Sequence, residues 1–96
     1  MYGGAGNDVM YGGKSADKID GGEGDDFIFG GEGSDWIWGG DGKDQIHTGT
    51  GEKDIVYGGE GCDIVKTYDG GDVVWLGDCD ASDDQKVIIY GTGTNT

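Results

Sequence analysis

Aspartate recurs at a regular spacing through most of the chain, and regularly spaced carboxylates are groups that can bind cations. Eight aspartates follow one another at intervals of nine residues, with one interval of ten. Their carboxylates are hard oxygen ligands without an accompanying cluster of histidines or cysteines, which favours calcium. We expect magnesium to substitute poorly, because it demands shorter and stricter octahedral coordination. The candidate metal ligands are Asp8, Asp17, Asp26, Asp35, Asp44, Asp54, Asp63 and Asp72.

Catalysis is an alternative interpretation, because paired carboxylates can also perform acid and base chemistry. Eight identical sites at one period indicate a structural role instead. His47 is the only histidine, and no serine or cysteine lies at a spacing that pairs with it. We therefore predict no catalytic residues and no enzymatic activity, and we expect His47 to be a solvated residue on the face of a strand.

The aspartates belong to a repeated nonapeptide, G-G-x-G-x-D-x-U-x, in which U is aliphatic. Glycines at the first, second and fourth positions permit positive φ angles and a tight turn that leaves its carbonyls exposed. Calcium accepts backbone carbonyl oxygens alongside carboxylates. The candidate carbonyl donors are Gly4, Gly6, Gly22, Gly24, Gly31, Gly33, Gly40, Gly42, Gly59 and Gly61.

The residues around position eight of the repeat predict a short strand whose middle side chain is buried. Nine residues supply one turn and one strand, so two repeats form one coil and repeat n stacks on repeat n+2. The preference for right-handed crossovers then predicts an all-β, right-handed parallel solenoid with two sheets of short strands. The aliphatic residues expected to fill its interior are Met10, Ile19, Ile28, Ile37, Ile46, Val56, Val65 and Val74.

Stacking of alternate repeats also divides the aspartates between two edges of the solenoid. Like charges stacked one above another cost energy unless a cation lies between them, so several calcium ions are expected. We call the two rows the odd edge and the even edge. The odd edge carries Asp8, Asp26, Asp44 and Asp63, and the even edge carries Asp17, Asp35, Asp54 and Asp72.

The composition also indicates that the chain needs an external partner in order to fold. With only 33% hydrophobic residues and a net charge of −14, it lies near the disordered class of proteins. The same charge excludes nucleic acid as a partner, and the absence of a long apolar run predicts no transmembrane segment. The first residues, 1–4, show no signal-peptide pattern, so we expect a mature chain or an excised fragment.

These nonapeptides resemble the RTX (repeats-in-toxin) calcium-binding parallel β-roll, and they cover residues 3–75 of 96. The resemblance implies calcium bound between repeats n and n+2, an extracellular or cell-surface bacterial location, and export in the unfolded state through a type I secretion channel. It implies a calcium-dependent folding module that supports export-coupled folding and positions neighbouring domains of a larger secreted protein. It also allows the noncatalytic tail of a secreted enzyme.

The two edges depart from the repeat pattern to different degrees. The four odd repeats keep G-G-x-G-x-D throughout. On the even edge, Ser15 replaces a glycine, the sixth repeat carries an extra residue around Lys53, and the eighth begins with Thr67 and Tyr68. We therefore expect the tighter calcium sites on the odd edge and looser or partly empty sites on the even edge.

The last residues, 76–96, leave the nonapeptide frame but are expected to belong to the same domain as residues 1–75. We predict an acidic loop over 76–86 and a capping strand over 87–90. The loop is either solvated or donates Asp78, Asp80, Asp83 and Asp84 to a terminal calcium. Cys62 and the segment containing Cys79 fall on stacked turns, so the two cysteines form either a disulfide or two free thiols.

Positions seven and nine of each repeat point outward, and on the even sheet they bring together all three tryptophans of the chain. An exposed aromatic patch usually marks a contact surface. One interpretation is packing against a neighbouring domain or a second copy, because aromatic residues suit strands. The other is an adhesion module that binds a glycan or a protein receptor. The residues concerned are Trp36, Trp38, Tyr57 and Trp75.

Overall fold

A computed structural model describes residues 1–50, 53–68 and 72–77, together with the backbone of 86–89. The described residues form short β-strands joined by turns, and among them no helix is long and apolar enough to cross a membrane. The strands are β1 (Val9–Tyr11), β2 (Lys18–Asp20), β3 (Phe27–Phe29), β4 (Trp36–Trp38), β5 (Gln45–His47), β6 (Ile55–Tyr57), β7 (Ile64–Thr67), β8 (Val73–Trp75) and β9 (Lys86–Ile89).

The middle residue of each of the first eight strands points into a narrow interior, as its position in the repeat predicts. In β3, for example, Ile28 is fully buried between two half-buried phenylalanines. The side chains alternate between faces because successive residues of a strand point in opposite directions. The eight buried aliphatic residues form one core cluster, against which Leu76 also packs. The predicted interior is therefore confirmed.

Alternate strands pair in parallel to form two sheets, which confirms the stacking of repeat n on repeat n+2. One sheet has the order β1-β3-β5-β7-β9, and the other has the order β2-β4-β6-β8. The register aligns equivalent positions of the repeat, such as Ile28 with Ile46. Trp36 pairs with Ile55, so the separation is one residue longer than the length of two nine-residue repeats. The turn of the sixth repeat therefore absorbs the inserted residue, and the sheet is undisturbed.

The turns between strands depend on positive φ angles at the glycines of positions two and four. Gly22 and Gly24 have φ angles of 87° and 103°, and the equivalent glycines of the other described turns are similar. A Cβ atom on Gly40 would collide with the carbonyl oxygen of Gly22 one coil away. Among the described residues, Ser15 is the one non-glycine residue with positive φ, at 77°. The turn of the second repeat therefore has the same backbone conformation as the glycine-containing turns, although serine adopts that conformation less readily than glycine.

The capping strand begins one residue earlier than the sequence predicts. Strand β9 runs from Lys86 to Ile89 because Lys86 pairs with Ile64 at the start of β7. The expected strand end at Tyr90 lies outside the described residues, as do residues 78–85 of the acidic loop with their four aspartates. A terminal calcium at that loop therefore stays a prediction. Strand β9 extends the sheet of the odd repeats, next to β7.

Candidate metal centre

The predicted aspartates stand at the junctions between turns and strands, where each directly precedes its strand. The backbone is locked at this point, because the N–H of the next residue donates to the aspartate carbonyl one coil earlier. For example, Phe27 N donates to the Asp8 carbonyl oxygen at 2.8 Å. Six of the eight carboxylate residues are almost wholly removed from solvent, and Asp8 and Asp17 on the first coil are partly exposed.

Each edge brings its four aspartates together as a continuous ladder. The backbone N–H of one aspartate donates to Oδ1 of the aspartate one coil later, as from Asp26 to Asp44 at 2.8 Å. On the odd edge the three links measure 2.9, 2.8 and 2.9 Å. On the even edge they measure 2.9, 2.7 and 2.8 Å. The structure therefore assembles both predicted rows with the same geometry.

The second oxygen of these carboxylates is the unusual feature of the ladders. Among the described residues, seven of the aspartates have a buried Oδ2 without any hydrogen-bond partner. A buried acceptor of this kind costs roughly 1–3 kcal/mol, and more when it is charged. A row of such atoms requires a partner that can approach several of them at once. The orphaned oxygens belong to Asp8, Asp17, Asp26, Asp35, Asp44, Asp54 and Asp63.

Six of the seven orphaned oxygens lie beside a glycine at position one, in a space that a Cβ atom at that position would enter. A Cβ atom on Gly21 would lie 2.6 Å from Asp26 Oδ2 and 2.6 Å from the Gly39 carbonyl oxygen. A Cβ atom on Gly39 would meet Asp44 Oδ2 and the Gly58 carbonyl oxygen at 2.6 Å. Oxygens from two successive coils therefore face one small space. Calcium binds carboxylate and carbonyl oxygens at 2.3–2.6 Å, so the donor set fits calcium.

The pKa values of several ladder aspartates are raised, because the buried carboxylates have few groups that stabilise their charge. Burial raises the pKa of Asp44 to about 8, and the charges of Asp63 and Asp26 add to this increase. A backbone N–H bond to the carboxylate opposes the shift without cancelling it. Burial likewise raises the pKa of Asp54 and Asp63 to about 7 and that of Asp35 to about 6. Without a cation, burial therefore disfavours the charged form of these carboxylates in the folded chain.

The predicted carbonyl donors lie where successive turns stack on each other. The Gly4 carbonyl accepts a hydrogen bond from Glu23 N at 3.1 Å, and the Gly22 carbonyl accepts one from Asp41 N at 3.1 Å. A carbonyl has two lone pairs, so such a bond leaves one for a cation. Within the described part of the chain, no group of three or more His, Cys, Asp or Glu side chains forms a metal cluster. The carbonyl ligands remain a prediction.

The two edges differ outside the aspartate ladder. On the odd edge, position five forms a second ladder, in which Asn7 Oδ1 accepts from Asp25 N at 2.7 Å and Asp25 Oδ1 accepts from Lys43 N at 2.8 Å. On the even edge, Ser15 carries the unfavourable positive φ. These differences agree in direction with tighter sites on the odd edge, which stays a prediction because both carboxylate ladders have the same spacing.

The outer faces carry stacks of aromatic rings in register. On the even sheet, Tyr57 lies between Trp38 and Trp75, with ring centroids 5.9 and 4.8 Å apart and planes within 10°. Trp36 lies tilted against Trp38 by 55°. The four predicted residues of the even face are therefore brought together, with Trp36 and Trp75 exposed.

The odd sheet carries a second aromatic stack, which was not predicted from the sequence. Phe29 stacks on Tyr11 at 4.9 Å and on His47 at 4.7 Å, with planes within 18°. His47 Nδ1 lies 3.1 Å from the Tyr68 hydroxyl. Burial lowers the pKa of His47, and the positive charge of Lys66 lowers it further. His47 therefore lies on the face of a strand, as expected, but it is half-buried and only partly solvated. The signal was the alignment of position nine in alternate repeats, where Tyr11, Phe29 and His47 coincide.

Cys62 is buried at position five of the seventh repeat and is disulfide-bonded. Its predicted partner, Cys79, lies outside the described residues. The pairing of Cys62 with Cys79 therefore stays a prediction.

Comparison with protein families gives one match that covers most of the chain. The model for the RTX calcium-binding nonapeptide repeat matches residues 1–28, 20–52 and 48–78. A comparison with curated proteins and one with solved structures each gave no significant match. The family assignment thus rests on the repeats themselves, which hold the two aspartate ladders.

Proposed function

The chain belongs to the RTX calcium-binding nonapeptide repeat family, and from this membership we propose that it is a module that folds when it binds calcium. Calcium binding is the property of the repeat. The further proposal is that binding and folding are one event, so that the chain lacks its stacked coils when calcium is scarce. Coupling of this kind is expected when a metal site exists only in the folded state.

The observation that supports the proposal is the row of buried, unpartnered Oδ2 atoms on both edges. These oxygens come together only when alternate repeats stack. In the metal-free fold they oppose stacking, because buried carboxylates repel one another and lack hydrogen-bond donors. Calcium, when bound, supplies the positive charge that these oxygens lack. The same groups then stabilise the stack that they otherwise oppose.

An aspartate within the ladder, such as Asp44, has two separate roles in this scheme. Asp44 Oδ1 accepts the backbone N–H of Asp26 and so holds two coils in register. Asp44 Oδ2 faces the space beside Gly39 and is available to a cation. A cation at this space also meets the Gly58 carbonyl of the next coil. Binding therefore ties successive coils together, and folding should be cooperative along each edge.

We propose that the module belongs to a larger secreted bacterial protein, in which it supports folding after export and positions neighbouring domains. The high net charge of −14 keeps the chain expanded where calcium is scarce. External calcium then drives folding. The repeated, structural placement of the aspartates supports a noncatalytic role for the module, including that of the tail of a secreted enzyme.

An adhesion function is the second candidate, because Trp36 and Trp75 are 44% and 51% exposed. Stacking of a sugar requires a free ring face. The faces of Tyr57 are covered by Trp38 and Trp75. Of these four rings, Trp36 and Trp75 would therefore supply the free faces of a glycan or receptor surface. If Trp36→Ala and Trp75→Ala abolish binding to a glycan array while the calcium response persists, the adhesion function is supported.

The test of the proposed function is isothermal titration of the chelator-treated chain with calcium. We expect several ions to bind, with a large heat that includes folding. Asp44→Asn should bind more weakly, whereas the exposed Asp41→Asn on the same turn should behave like the unaltered chain. Binding without any accompanying change in circular dichroism would reject the coupling of binding to folding.

A further inference from the structure

Threonine replaces glycine at position one of the sixth and eighth repeats. The other six repeats have glycine there, namely Gly3, Gly12, Gly21, Gly30, Gly39 and Gly58. Thr48 and Thr67 are nevertheless 0% and 1% exposed, so both side chains lie inside the fold. In glycine-containing turns, this is the position whose Cβ would enter the oxygen-lined space.

The Thr48 hydroxyl reaches the carboxylate of the next coil. Its Oγ1 lies 3.3 Å from Asp72 Oδ2 and 3.5 Å from the Lys66 carbonyl oxygen. Among the described residues, Asp72 is the one ladder aspartate whose Oδ2 is not orphaned. The backbone of Thr48 keeps the position of the replaced glycine, because a Cβ atom on Gly30 would meet the Thr48 carbonyl oxygen at 2.8 Å.

We propose that the Thr48 side chain takes the place of a calcium ion at the last step of the even edge, between Asp54 and Asp72. The inference rests on the proposed function, since it assigns which step of a calcium-binding ladder is closed to the ion. The Thr48 side chain occupies space that glycine leaves to a cation, and its hydroxyl donates to Asp72 Oδ2, while Asp54 Oδ2 keeps no hydrogen-bond partner.

The chain compensates for the filled space in its sequence. The sixth repeat has one extra residue between Thr48 and Asp54, yet Asp54 N still donates to Asp72 Oδ1 at 2.8 Å. The step therefore keeps the ladder link while its cation space is filled. The consequence is one step near the C-terminal end of the solenoid that holds no calcium ion of its own, next to steps that bind one.

The experiment counts the calcium ions bound per chain by native mass spectrometry and by isothermal titration of the full 96-residue chain. Thr48→Gly opens the space and should bind one more ion than the unaltered chain. Thr48→Ser keeps a hydroxyl and should bind the same number. Thr48→Val fills the space without a hydroxyl, so it should gain no ion and should need more calcium to fold.

The matched control is Thr50→Gly, because Thr50 lies on the same turn with its side chain exposed. It should leave the number of ions unchanged. An equal count for Thr48→Gly and the unaltered chain overturns the inference, while calcium binding by both leaves the proposed function intact. Failure of Thr48→Gly to fold in saturating calcium also overturns it, because the ion should replace the hydroxyl. No calcium binding by the unaltered chain overturns both proposals.

Discussion

The backbone N–H of Asp26 donates to Oδ1 of Asp44 at 2.8 Å, while Oδ2 of the same Asp44 carboxylate is buried without a hydrogen-bond partner. One side chain thus both supports the stacking of two coils and opposes it. The balance between the two effects depends on what neutralises the second oxygen. This relationship recurs along both edges and makes the fold responsive to cations and protons.

Replacing Asp44 by asparagine should separate these two effects. The variant keeps an oxygen that accepts the Asp26 N–H but loses the negative charge. We expect the calcium affinity of this site to fall about tenfold, which corresponds to about 1.4 kcal/mol, so the calcium concentration at half-folding should rise. Calcium titrations followed by circular dichroism measure this shift. Asp41→Asn, an exposed carboxylate on the same turn, is the control and should leave the midpoint in place.

The metal-free chain should become more stable as the pH falls. Burial raises the pKa of Asp44 to about 8 and that of Asp54 and Asp63 to about 7, from 3.8 in the ordinary state. The folded chain therefore binds more protons than the unfolded chain, and its stability is lost as the pH rises through this range. Circular dichroism of the chelator-treated chain between about pH 4 and pH 8 tests the prediction. A β signal that grows with pH would contradict it.

Removing one interior side chain should cost as much as it does in a larger core. Ile28 is 0% exposed, so Ile28→Ala should lower the free energy of unfolding in saturating calcium by roughly 2–5 kcal/mol. Val9→Ala is the control, because Val9 is 66% exposed and should change stability by about 0.5 kcal/mol or less. Urea denaturation with calcium held constant measures both. Equal effects would show that the interior contributes little.

Replacing Ser15 by glycine should stabilise the turn of the second repeat. Ser15 has a φ of 77°, a conformation that costs a non-glycine residue roughly 1 kcal/mol. Ser15→Gly should therefore raise the free energy of unfolding by a similar amount and lower the calcium concentration needed for folding. Ser34→Gly, a serine without positive φ, should give no such gain. A destabilising Ser15→Gly would mean that the serine side chain makes a compensating contact.

The fold was predictable because each level of the sequence specifies the same period. Position eight identifies buried residues such as Ile28, and position six identifies ladder residues such as Asp44. The inserted residue of the sixth repeat could have shifted the register. It did not, because slipping Ile55 relative to Trp36 would expose the buried Val56.

Other features could not be predicted from the sequence, because they depend on the direction of individual side chains. The repeat aligns the aspartates, but it does not reveal that Oδ1 is consumed by a backbone N–H while Oδ2 is left without a partner. The partial burial of His47 likewise comes from its stacking on Phe29 of the neighbouring coil. In the sequence, Thr48 is only a departure from the glycine of position one. In the structure, its hydroxyl lies 3.3 Å from Asp72 Oδ2. Such roles depend on contacts between coils.

The most direct measurement is the far-ultraviolet circular dichroism of the chelator-treated chain during calcium titration, with magnesium titrated in parallel. We expect little β signal in chelator at neutral pH, a cooperative gain with calcium, and a much weaker response to magnesium. A full β signal in chelator at neutral pH would contradict the central claim, because the buried Oδ2 atoms would then need no cation.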